Sequence, residues 1–206
     1  MSTVSTTTSD VEILSTAPPA PPPRPRVLLV GTALASSAAV MTVLALIALY
    51  LRLRADVLAE GGTWLPEEAN LQLTPGNMGM VTLAMAAVTA QWAVYALRNE
   101  DRPNAYLALG VTVLLGVAFI NGAVYGWQQL GLGIADSTQA VLIYTITGLH
   151  VAMVAVGLLY LSVMAFKALG GQLTGRAAEG LSAAALFWYV TIGVYAVIWY
   201  GIYITK

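Results

Sequence analysis

The chain has 206 residues, of which 58% are hydrophobic and 9% charged, with nine Lys and Arg against ten Asp and Glu and no cysteine. A soluble domain averages about 25% charged residues, so this composition belongs to a membrane protein. It excludes a nucleic-acid partner, for which no basic cluster exists, and disulfide, iron–sulfur or thiolate chemistry.

In chain order, the first 23 residues are Ser/Thr-rich and then Pro-rich, without a basic residue before Arg24. A signal peptide needs a basic start and a cleavage site behind a short apolar core. Residues 1–26 are therefore expected to be a disordered or polyproline-type cytoplasmic tail, followed by a transmembrane domain over 27–206. Five stretches then lack Asp, Glu, Lys and Arg: Val27–Leu51, Ala69–Leu97, Pro103–Ala135, Ser137–Phe166 and Gly180–Thr205. Roughly 20 apolar residues cross a hydrocarbon core, so each stretch holds one helix. The expected spans lie near 27–51, 77–97, 104–127, 139–167 and 181–204, with Gln128-Gln129-Leu130-Gly131-Leu132-Gly133 left as loop. The fold class is all-α: a polytopic membrane protein with a five-transmembrane-helix bundle behind a disordered tail.

Sidedness follows from short-loop Lys and Arg. With the N-terminus inside, the cytoplasmic segments carry Arg24, Arg26, Arg98, Arg102, Lys167 and Arg176, and the opposite side Arg52, Arg54 and Lys206. This favours a cytoplasmic N-terminus, with Arg52 and Arg54 snorkelling from the first helix.

Within the spans, Gly122 and Gly126 form a GxxxG pair, with Gly110 and Gly116 as further small positions, all read as helix-packing sites. The aromatics Trp64, Trp92, Tyr95, Tyr125, Trp127, Trp188, Trp199, Tyr200 and Tyr203 gather near span ends, where interfacial belts form. Intramembrane polar groups are few, and none is Asp or Glu. Gln91 and Asn121 are expected to hydrogen-bond across helices. His150, the only histidine, stands in the middle of the fourth span, and an ionisable group at that depth is a functional candidate by default. No buried acid accompanies it to form a nucleophile–base set. A single His cannot provide bis-His haem ligation, and Met153 shares its helix face. The plainer reading is a neutral imidazole bonded to a carbonyl, hydroxyl or lipid head group.

Several segments together resemble subunit III of the haem–copper oxidases, in its five-helix bacterial form. The first helix, with Ala33-Leu34-Ala35-Ser36-Ser37 and then Leu49-Tyr50-Leu51-Arg52, resembles the family's opening helix. Trp64-Leu65-Pro66 is similar to a Trp-Pro before the second helix. The third helix, Leu109 to Phe119, resembles a Leu-Thr-x-x-x-Gly-x-x-Phe pattern. On the fourth, Thr147-Gly148-Leu149-His150 with Gly157 resembles Thr-Gly-Phe-His-Gly-x-His-x-x-x-Gly, and Phe187-Trp188-Tyr189 looks like the closing helix. Elsewhere the family's ionisable positions are replaced: its Glu by Ser37, its second His by Met153, its third-helix Gln and Glu by Ala123 and Gly126, and its last-helix His and Asp by Tyr189 and Ile192.

The resemblance implies an accessory, non-redox and non-catalytic subunit of a respiratory terminal oxidase of the cytochrome c oxidase type, in a bacterial inner membrane. Such a subunit packs on catalytic subunit I, alongside subunit II, and holds phospholipid between its first two helices and the rest. Haem and copper are then expected in the partners, and no catalytic, cofactor-binding or metal residue in this chain. His150, Thr147, Gly148, Gly157, Trp64, Arg52 and Ser37 are the lipid-contact or helix-packing candidates. Two other readings stay open: an accessory subunit of a nitric oxide reductase, given Ser37 in place of the Glu, and a small-molecule channel or transporter lined by His150, Asn121, Gln91 and Thr147. The absence of an internal repeat and of intramembrane charge weighs against transport.

Overall fold

A computed structural model describes residues 26–171 and 178–205. Most of the expected tail, with Arg24, lies outside the described residues, as do Arg176 and Lys206. Five helices follow one another: α1 (Val27–Ala59), α2 (Leu73–Arg98), α3 (Arg102–Gln129), α4 (Thr138–Leu169) and α5 (Ala178–Ile198), the last continuing as a π-helical turn over Trp199–Ile204. Each is long and apolar enough to cross a bilayer, and large apolar side chains point outward from all of them. A helix that is apolar all round is a membrane or deep-core helix. The protein is a multi-pass, all-α membrane bundle.

The helix ends differ from the expected spans where charge was taken as a boundary. The first helix does not stop at residue 51 but runs to Ala59, because Arg52 Nε donates to Asp56 Oδ2 at 3.0 Å on the next turn, both exposed. The second begins at Leu73 rather than 77, with Pro75 in its first turn, where no helical partner for its missing N–H is needed. The third starts where Asp101 accepts from Asn104 N at 3.3 Å, and the fourth where Ser137 accepts from Ala140 N at 3.1 Å. Both are N-caps satisfying otherwise free amides. The third helix also takes in Gln128 and Gln129, so the connector begins only at Leu130.

Successive helices run antiparallel, as cross-links at each end demonstrate. At one end Arg98 Nη2 of α2 donates to Ser182 Oγ of α5 at 3.3 Å. There, too, Tyr106 of α3 donates to the Ala168 carbonyl of α4 at 2.9 Å. At the other end Trp199 Nε1 donates to Asn77 Oδ1 at 2.8 Å, and Asn70 N to the Leu130 carbonyl at 2.9 Å. That last bond ties the α1–α2 connector to the α3–α4 connector.

Helices α2 and α3 make the most extensive pairing. Ala86, Ala90 and Ala93 of α2, with Ala105 and Ala108 of α3, are fully or almost fully buried there. Small residues permit the close approach that membrane helices use in place of a hydrophobic driving force. Thr89 and Thr112 join the same pair through a 2.8 Å hydroxyl–hydroxyl bond.

The close-packing glycines are not the GxxxG pair. A β-carbon built on Gly122 would meet nothing within 4 Å, and on Gly126 only Pro75 Cβ at 3.8 Å; Gly110 is equally open. Gly116 and Gly157 are among the tight ones, with Gly76, Gly79 and Gly180. A β-carbon on Gly116 would collide with Leu158 Cδ2 and lie 2.9 Å from Trp188 Cη2, and one on Gly157 would lie 2.8 Å from Trp188 Cε3. Trp188 is wholly buried between α3, α4 and α5, not at an interfacial belt as its distance from the span end suggested.

Because the chain has no cysteine, its topology is readable with single introduced thiols. Thr63 follows α1 and Lys167 closes α4, both exposed and at opposite ends of the bundle. In sealed cells a membrane-impermeant maleimide is expected to label only one of Thr63→Cys and Lys167→Cys until the membrane is opened. Equal labelling of both before permeabilisation would refute the five-span arrangement.

Candidate functional site

Among the described residues, His150 is one of six buried polar ones and bonds another of them, Thr191. Four turns into α4, its ring reaches α5, where Nε2 lies 3.0 Å from the Thr191 carbonyl oxygen. A carbonyl only accepts, so Nε2 carries the hydrogen and donates it. Two aromatic rings hold the imidazole: Phe119 edge-on with centroids 5.4 Å apart, and Tyr195 tilted at 5.1 Å. Phe119 and Tyr195 meet each other edge-on at 4.9 Å. The Tyr195 hydroxyl donates across the bundle to the Gly76 carbonyl at 3.0 Å. Gly79 leaves the space for it, since a β-carbon there would collide with the Tyr195 hydroxyl.

One turn before His150, Thr147 is buried and doubly bonded. Its hydroxyl donates to the Ile143 carbonyl at 2.6 Å and accepts from Trp127 Nε1 of α3 at 2.9 Å. Tyr144 then donates to the Leu132 carbonyl at 3.0 Å and fastens the α3–α4 connector to α4. These groups border a cavity of about 230 Å³ between α2, α3, α4 and α5. Its inner wall is formed by Phe119, Trp127, Thr147, His150 and Tyr195. Its outer edge includes Thr74, Met78, Gly122 and Tyr125, which are exposed on the flank of the bundle.

Of the seven lipid-contact or packing candidates, the structure brings Thr147 and His150 to this cavity. Gly148 follows on the same helix without close neighbours, and Gly157 seats Trp188 two turns further on. Trp64 is elsewhere and buried, meeting Tyr50 of α1 edge-on at 5.2 Å. Together with Leu71, Leu130 and Leu132 it caps a second apolar cluster over the ends of α1, α4 and α5. Arg52 is exposed at the end of α1. Ser37 is exposed and turns its hydroxyl back to the Ala33 carbonyl at 2.9 Å. The four groups of the transport reading do not share one path. Gln91 accepts from Tyr189 at 2.7 Å and Asn121 is exposed; neither lines the cavity. Asn121 also makes no interhelical bond among the described residues, contrary to expectation.

Tyr195 was not singled out in the sequence, and Phe119 entered only as the last residue of the third-helix pattern. A tyrosine eight residues into the apolar run after Phe187 signals that its hydroxyl needs an interior partner, but its target, a backbone carbonyl on α2, leaves no mark in composition. As for metals, no three His, Cys, Asp or Glu side chains converge among the described residues. The one His has its Nε2 engaged by Thr191. Among the described residues, one His whose Nε2 is already engaged does not make a ligand set for a haem or copper centre.

The fold and site thus define a class: a polytopic helical membrane protein whose intramembrane polar side chains bond mainly to backbone carbonyls. Comparison with known proteins narrows it. The model of the family cytochrome c oxidase subunit III matches residues 29–206, all five helices, and the chain belongs to that family. Among similar proteins, the cytochrome c oxidase subunit 3 of Corynebacterium diphtheriae is 27% identical over 185 residues, 88% of each chain. The probable subunit 3 of Rickettsia conorii is 30% identical over 124 residues, 59% of this chain and 44% of that protein. That of Synechocystis is 27% identical over 143 residues, 68% and 61% of the two chains. The match therefore spans less than half the length of the Rickettsia relative.

Replacing His150 separates the packing role from any other. His150→Leu removes the donor to Thr191 and is expected to lower stability by roughly 0.6 to 2 kcal/mol, the range of interhelical bonds in membranes. His150→Gln, which restores an N–H donor, should recover most of it. Thermal melting of the purified protein reads both; a loss far above that range, or no rescue by Gln, would contradict a packing role.

Proposed function

We propose that this chain is an accessory subunit of a haem–copper terminal oxidase, itself without redox centres, that packs on the catalytic subunit and supports its assembly and sustained turnover. The observation that carries the reading is the subunit III family match across all five helices, in a chain whose described residues make no ligand set for haem or copper. The redox cofactors then reside in partner subunits I and II. The similar proteins from Corynebacterium, Rickettsia and Synechocystis support a bacterial inner membrane. The basic residues Arg26, Arg98, Arg102 and Lys167 on one side, against Arg52 and Arg54 on the other, support a cytoplasmic N-terminus. Residues 1–26 are assigned to the tail and 27–206 to the membrane domain.

The partner face is assigned to α1. Leu34, Met41, Leu44 and Leu49 are exposed along it, and it packs mainly on α5. Between the two helices runs an apolar cleft of about 360 Å³, bordered by Ser36, Val40, Leu186 and Val190. That cleft suits a phospholipid acyl chain; Arg52, toward the far end of the helix, is paired with Asp56.

Affinity purification of the tagged chain from its native membrane in mild detergent is expected to recover a larger haem-bearing subunit, seen in the absorbance spectrum and by mass spectrometry. Quantitative recovery of the chain alone, free of haem absorbance, would overturn the proposal.

A further inference from the structure

The polar groups on the inner wall of the His150 cavity share one property. Every hydrogen they have to give is already donated elsewhere. His150 Nε2–H goes to Thr191, the Thr147 hydroxyl to Ile143, the Tyr195 hydroxyl to Gly76 and Trp127 Nε1–H to Thr147. At the rim, Thr82 likewise donates to the Met78 carbonyl at 2.8 Å. What remains at depth are lone pairs. The foremost is Nδ1 of His150, which in the neutral ring is an acceptor and takes no hydrogen bond from any described residue. His150 is only 1% exposed, so bulk solvent does not satisfy that atom. Hydroxyls free to donate are found only among Thr74 and Tyr125, both exposed, and Tyr203, half-buried.

Size and wall chemistry complete the picture. At about 230 Å³ the space exceeds the roughly 150 Å³ apolar cavity known to hold benzene. Phe119, Trp127 and Tyr195 line the space with aromatic rings, and Gly79, Gly122 and Gly126 border it without side chains. No charged side chain borders the space, so an ion inside would be uncompensated. An acyl chain would fill the volume yet leave the buried acceptors unpaired. We propose that this cavity is a binding site for a small neutral ring-bearing molecule with a hydroxyl group, a phenol or cyclic alcohol, which enters from the bilayer between α2 and α3 and donates its hydrogen to Nδ1 of His150. The site stands independently of the oxidase assignment.

The test uses the full chain, purified with whatever subunits accompany it, and titrates phenol against anisole, the same ring with its hydroxyl methylated. Phenol is expected to raise the melting temperature saturably. Anisole should need about tenfold more for the same shift, the worth of one hydrogen bond. In Gly122→Leu, which puts a large side chain at the mouth of the cavity where a β-carbon meets nothing within 4 Å, the phenol shift should vanish. Equal shifts by both compounds, an unsaturable shift, or an undiminished shift in Gly122→Leu would overturn the proposal. Should that variant not fold, crosslinking by a diazirine-bearing phenol decides the question. Label on residues 74–82 and 118–127, displaced by free phenol, supports the site; label elsewhere, or label that phenol does not displace, refutes it.

Discussion

Trp188 stands on α5 with its indole between two glycines, Gly116 of α3 and Gly157 of α4, each too close to tolerate a β-carbon without displacement. In lipid there is no hydrophobic force to hold helices together, so contact area and hydrogen bonds must do it. A wholly buried tryptophan in a two-glycine seat supplies the area. It also fixes how α5 is turned. Thr191, Tyr195, Ile198 and Ile202 follow at spacings of three and four and are all buried, forming one continuous face. Because Thr191 lies one turn beyond Trp188, and His150 two turns before Gly157, the seat aligns the imidazole with the Thr191 carbonyl. The cavity is the space left where α2 and α3 diverge from that face.

The second consequence concerns hydrogen bonds. A polar hydrogen left unpaired in a hydrocarbon interior costs several kcal/mol, and many of the intramembrane donors are engaged within the chain, although Ser36 Oγ and Trp188 Nε1 are buried without a partner among the described residues. Thr42, Thr82, Thr147, Thr191 and Thr205 each return a hydrogen to the carbonyl four residues back. Trp127, His150 and Tyr195 send theirs to other helices. Carbonyls and ring nitrogens have spare lone pairs, so an interior organised this way ends up rich in acceptors and poor in donors. It suits a member of the subunit III family, whose proposed role here is to support a neighbouring catalytic subunit.

How much of this was legible in the sequence depends on which forces write themselves locally. The five helices were, because charge is so costly in the bilayer that its absence outlines each span. Their ends were less so: Arg52, Arg54 and Asp56 interrupt the apolar run but continue the helix, since a charge pair at i and i+4 suits an exposed helix end. The Asp101 and Ser137 caps sit at the chemically expected starts. The site was half legible. His150 was recognisable as a buried imidazole in need of a backbone or side-chain partner, and the Thr191 carbonyl provides one. Its aromatic enclosure was not, because Phe119 and Tyr195 approach from helices about 30 and 45 residues away. The GxxxG spacing of Gly122 and Gly126 misdirected attention, whereas Gly116 and Gly157, lacking any motif between them, do the packing. Trp188 sat close enough to a span end to look interfacial, and only its partners on α3 and α4 reveal that it is central.

The register of α5 therefore rests on the coupling between Trp188 and its glycine seat, which a double-mutant cycle measures directly. Gly157→Val in the intact protein should destabilise it by about 1–3 kcal/mol, the cost of overpacking. In a Trp188→Leu background the same change should cost far less, with a coupling of about 0.5–3 kcal/mol, as read from melting of the purified protein. Strictly additive losses in the two backgrounds would mean that the indole does not occupy the seat, and the register of α5 would have to be set by something else.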